Sequence, residues 1–228
     1  MQLIFQALLA LHIAAGFASL IIFWIPVFTR KGGINHVKLG KAYVWLMWVV
    51  VGTAAILSIK NLATGRTIMG AFLGFISLIT ANPLWYGIGI LRNKKNPSKR
   101  FRAGHLAFRI TIVLAALALI GYGIALGGEG AAVLMFLFGA LGLTDVPGVV
   151  KALRGTATHP QWFKEHIVAM CTSGIAAYTA FLVFGANQFL STVLSDYWAV
   201  IPWLLPTVIG TVGIRMSLNR YRKKGMIA

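Results

Sequence analysis

Residues 3–28 read LIFQALLALHIAAGFASLIIFWIPVF, and Thr29, Arg30 and Lys31 follow. A bilayer core takes about 20 mainly apolar residues per helix, and this run holds no acid, lysine or arginine, only His12. A secretory signal would carry a basic segment before a shorter apolar run. Here the basic pair comes after the run, which predicts a retained span with its N-terminus outside and Arg30-Lys31 inside.

The same pattern recurs along the chain at about 42–59, 67–91, 105–126, 131–150, 163–187 and 197–218. The gaps are too short for a soluble domain, and no alternating pattern of the kind a membrane barrel needs is present. The expected fold is all-α: a polytopic membrane helix bundle of seven transmembrane helices, N-terminus outside and C-terminus inside, as a single domain over 1–228. Composition agrees, with 58% hydrophobic and 11% charged residues against roughly 25% charged in soluble domains. A mean hydropathy of +0.81 excludes a soluble globular protein.

The net charge of +17, from 21 Lys+Arg and 4 Asp+Glu, would suggest nucleic acid in a soluble chain. Sorted by side, it becomes an orientation signal. With the N-terminus outside, every basic residue except Lys60 and Arg66 falls inside, and Glu129 and Asp196 fall outside. The positive-inside rule then predicts the N-out, C-in orientation, with the lipid bilayer as partner and no nucleic acid. The run Arg92 to Arg102 reads as a solvated loop touching anionic lipid. Cys171, the one cysteine, can form neither an intrachain disulfide nor a zinc cluster of its own.

Three inward spans carry a proline in their inner half, Pro26, Pro83 and Pro147, the last two as Thr80-Ala-Asn-Pro83 and Thr144-Asp-Val-Pro147. Each returning span opens with histidine and basic residues. This predicts one helical hairpin used three times, with kinks at the prolines. Gly70-xxx-Gly74 and Gly210-Thr-Val-Gly213 are expected packing faces.

Candidate chemistry rests on histidine. His36, His105, His159 and His166 lie near the inner starts of returning spans, and His12 lies deep in the first span, where a hydrogen bond to a neighbouring helix would satisfy it. His105 and His166 share a depth, as two axial ligands of haem b require, and His36 can replace either if the first inner loop folds back. Arg109, Lys164 or Arg154 would pair with the propionates. A zinc hydrolase site from Asp145, Glu165, His105, His159 and His166 is the alternative metal reading, but these spacings put no two ligands on one helix face. Asp145, the sole acid inside a span, suits either a transporter or a structural ion pair with Lys151 or Arg109.

Two segments, Lys31-Gly-Gly-Ile-Asn-His36-Val-Lys-Leu-Gly40-Lys41-Ala-Tyr43 and His159-Pro-Gln-Trp162-Phe-Lys-Glu-His166, resemble an uncharacterised family of bacterial multi-pass membrane proteins, carried as a domain of unknown function. Its members have a His-x-x-x-Gly-basic-x-Tyr element after the first helix and a His-x-x-Trp element opening a late one. The resemblance implies the fold and a bacterial inner membrane, and no activity. It extends distantly to b-type cytochrome bundles, which implies haem on histidines of successive helices. No outer-side histidine pair exists, which argues against a two-haem wire. The expected function is haem b-linked electron exchange with quinone or a neighbouring redox subunit. The competing expectation is a non-enzymatic accessory subunit of a larger membrane complex.

Overall fold

A computed structural model describes residues 2–127, 131–156, 161–186 and 201–227. Among these the chain is all-α. The helices are α1 (Gln2–Phe28), α2 (Ile34–Ala63), α3 (Thr67–Arg92), α4 (Lys99–Ala125), α5 (Ala131–Leu143), α6 (Val146–Leu153), α7 (Trp162–Ala180) and α8 (Ile201–Lys223). A π-helical turn, Phe181–Gly185, extends α7. Counting α5 with α6 as one span, seven helices among the described residues are long and apolar enough to cross a membrane.

Two helices begin well before their hydropathy limits. α2 begins at Ile34 rather than near residue 42, and α4 at Lys99 rather than near 105. Hydropathy marks only the lipid-soluble middle of a helix. The backbone ladder continues into the basic flank, where long side chains keep their charge in water. Consequently His36 lies in the first turn of α2, not in a loop.

All three prolines lie within span-length helices, but in different settings. Pro26 and Pro83 lie inside α1 and α3, whereas Pro147 occupies the opening turn of α6, where a missing N–H costs nothing. A turn at Thr144 and Asp145 separates α5 from α6. Thr80 is buried while Thr144 is exposed, so the two Thr-x-x-Pro elements differ in surroundings as well.

The chain divides into two compact units. The first comprises Met1–His12, Val49–Asn82 and Asn93–Pro160. Its core is Phe75, Ala116, Leu119 and Met135, from α3, α4 and α5. Small residues let these helices approach. A Cβ at Gly139 would meet Ile120, and one at Gly142 would meet Ala116 and Phe75. The pair Gly70 and Gly74 faces Leu62 and Ser58 of α2, as the small-xxx-small pattern predicts. Ser58 Oγ donates to Gly70 O at 2.7 Å and Ser77 Oγ to Val51 O at 3.0 Å.

The second unit comprises Ile13–Trp48, Pro83–Arg92 and Gln161–Ala228. Tyr43, Met47 and Leu84 form its core, with Phe23, Ile88, Met170 and Ala177 packed around them. Gly87 of α3 lies against Ala169 and Met170 of α7, and Gly174 lies against the Phe23 ring. Gly210 seats Ile175 of α7 on α8, but Gly213 faces open space, so only half of the second small-residue pattern is a packing face.

Candidate functional site

The second unit gathers a histidine pair at one end. α1 stops at Phe28, leaving its last carbonyls without helical donors. Lys31 turns back to supply them: its Nζ donates to Pro26 O at 2.6 Å and Val27 O at 2.8 Å. An ammonium at a helix C-terminus also meets the favourable end of the helix dipole. Burial pushes the Lys31 pKa below the ordinary lysine value, the Cys171 sulfur opposes that shift, and the Arg220 guanidinium adds to it.

Pro26 O accepts a second hydrogen bond, from His36 Nδ1 at 3.0 Å. His166, on the first turns of α7, donates from Nδ1 to Gly87 O of α3 at 2.7 Å. A carbonyl can only accept, so both Nδ1 atoms carry the proton, and in a neutral ring the lone pair is then on Nε2. A main-chain acceptor on Nδ1 is the usual outer partner of a metal-binding histidine. The ring centres of His36 and His166 are 6.5 Å apart with planes at 70°.

Beside His166, Glu165 accepts a hydrogen bond from Tyr86 of α3 at 3.4 Å. Farther along the same seam the buried Tyr43 hydroxyl meets Ser173 Oγ at 2.9 Å, and Ser173 donates on to Met170 O. His36 and Tyr43 are seven residues apart on α2, and His166 and Ser173 seven apart on α7. Two helical turns return to nearly the same face. The histidine pair and the tyrosine–serine bond therefore share one α2–α7 seam.

The remaining candidates fall elsewhere. His105 belongs to the first unit, its ring stacked on Phe101 at 6.5 Å. Arg109 Nε binds Asp145 Oδ1 at 2.7 Å, the ion pair expected from their charges. Gly148 makes room for that guanidinium, since a Cβ there would overlap it. Arg109 is thus committed to Asp145, in the first unit. His12 Nδ1 meets Thr53 Oγ1 at 2.9 Å, while that hydroxyl bonds Val49 O at 2.7 Å, so His12 is a satisfied core histidine. His159 lies outside the described residues. Among the described residues, no three His, Cys, Asp or Glu are gathered for a metal ion.

Sequence reasoning missed the carbonyls of Pro26 and Gly87 and the capping role of Lys31. Its only signals were the proline near the end of α1 and a lysine just beyond it. The described residues make a helical protein with seven span-length helices and two neighbouring histidine rings, His36 and His166, in its second unit. No protein-family model, curated protein or solved structure matches the chain.

Proposed function

We propose that this is a seven-span protein of the bacterial inner membrane, N-terminus outside, that binds haem b between His36 and His166 for electron exchange with quinone or a redox partner. The observation carrying the reading is the pair itself: two imidazoles, each held through Nδ1–H by a main-chain carbonyl, with ring centres 6.5 Å apart. If haem is bound, His36 and His166 are the side chains that would hold its iron. His36 here takes the role first expected of His105. Lys31 and Arg220, in the same unit, suit propionate carboxylates better than Arg109, which already holds Asp145. Haem supplies reversible one-electron transfer; the protein's part is to orient the two rings and fix their tautomers.

Purification from haem-replete cells tests this. The expected product is red, with a Soret band that shifts on reduction and is lost in His36→Ala and in His166→Ala but kept in His105→Ala. A colourless, iron-free preparation overturns the haem. A band lost in His105→Ala and kept in His36→Ala overturns the ligand assignment.

A further inference from the structure

The C-terminal tail builds a cleft that the histidine centre does not use. α8 ends at Lys223, and the next residues close a helix-ending turn: Gly225 N–H donates to Arg222 O at 2.9 Å and Met226 N–H to Tyr221 O at 3.0 Å. This pattern requires a left-handed residue, supplied by Gly225 at φ +67°. The chain reverses there, so Ile227 is buried although it lies next to the C-terminus.

The reversed tail faces the start of α7. Gly225, Met226 and Ile227 on one side, and Gln161, Trp162 and Phe163 on the other, line an open groove of about 330 Å³. That lies at the low end of ligand cavities, about 300–1,000 Å³. Phe163 and Tyr221 meet edge to face at 5.0 Å and tie the two walls together. The walls mix aromatic and aliphatic side chains with main-chain polar groups.

Among the described residues that border the cleft in sequence, Arg222, Lys223 and Lys224 precede the tail wall, and Lys164 follows Phe163 on the other. The nearby acid, Glu165, is engaged by Tyr86. A ligand complementary to this site has a compact anionic head and an apolar body. It also has to be present where span-length helices end.

We propose that the cleft between the start of α7 and the reversed C-terminal tail seats the phosphodiester headgroup of an anionic glycerophospholipid. Arg222, Lys223 and Lys224 meet the phosphate, and Trp162, Phe163, Met226 and Ile227 take the glycerol and first acyl carbons. Basic clusters at the ends of membrane helices attract anionic lipid in general. The cleft adds a seat that selects a bound molecule over a diffuse layer.

The test uses the full chain in detergent, titrated with phosphatidylglycerol, with phosphatidylcholine of the same acyl chains, and with inorganic phosphate. Retained lipid is read by native mass spectrometry and stability by thermal unfolding. Two triple variants follow, Arg222→Gln/Lys223→Gln/Lys224→Gln at the cleft and Lys94→Gln/Lys95→Gln/Arg100→Gln near the start of α4. Residues 222–224 and 94, 95 and 100 are exposed, so both variants keep the core intact. Expected is retention of phosphatidylglycerol alone, weakened about tenfold or more by the cleft variant and unchanged by the other. Equal weakening by both variants, equal retention of phosphatidylcholine, or the same stabilisation by inorganic phosphate overturns the proposal. These readouts involve no haem, so they succeed or fail separately from the histidine centre.

Discussion

Arg109 and Asp145 are each about a quarter exposed, with side-chain accessibilities of 26% and 22%. A pair this far out of water loses more when one partner is removed than when both are, because the survivor keeps its charge without compensation. Gly148→Ala puts a methyl where the guanidinium lies, and the expected cost is about 1–3 kcal/mol of unfolding free energy in detergent. In an Asp145→Asn background that cost shrinks, since the ion pair is already gone; equal costs in both backgrounds would remove the coupling. Tyr43→Phe deletes one buried hydrogen bond and leaves Ser173 satisfied by Met170 O. Its expected cost is smaller, about 0.5–1.5 kcal/mol, read by the same unfolding curve. At this scale the Arg109–Asp145 pair was legible from the sequence, because the sole acid in a span demands a cation within reach. The His36–His166 pair was not, because its partners on Nδ1 are carbonyls, and a sequence does not say which carbonyls a helix end leaves exposed.

Glycines separate packing from permissiveness along the helices. Gly70 lies so close to Leu62 of α2, main chain included, that a Cβ has no room. Gly70→Ala is expected to loosen the α2–α3 hairpin by about 1–3 kcal/mol. Gly52, in α2, and Gly213, in α8, have open space at the Cβ position. Alanine at either is expected to be neutral or to stabilise by up to about 1 kcal/mol, the gain in helix propensity. Losses at Gly52 or Gly213 comparable to that at Gly70 would mean these faces are covered in the membrane. Span-length helices were legible because apolar runs have few other uses, but helix starts were not. The residues Ile34 to Lys41 are as polar as a loop, and only the structure makes them the opening turns of α2.

For the whole molecule, the charge pattern carries the orientation. Seven spans with the N-terminus outside put Lys60 and Arg66 on one side of the membrane and the remaining basic residues on the other. A reporter fused after Ala228 is expected to behave as cytoplasmic, and one inserted between Ala63 and Arg66 as periplasmic. The reverse result would discard the proposed topology. The division into two units has no hydropathic signature, since α1, α2 and α3 supply residues to both.

The hairpin of α1 and α2 sets an order of events in time. Lys31 on Pro26 and Val27, and His36 on Pro26, are contacts between residues no more than ten apart. Such local contacts form without waiting for distant chain, so His36 is oriented as soon as the second helix leaves the ribosome. His166 is made 130 residues later, after α3 has already presented Gly87. The pair is therefore half built early and completed only when α7 arrives, which makes the synthesis of that helix the moment at which the two imidazoles can first lie side by side.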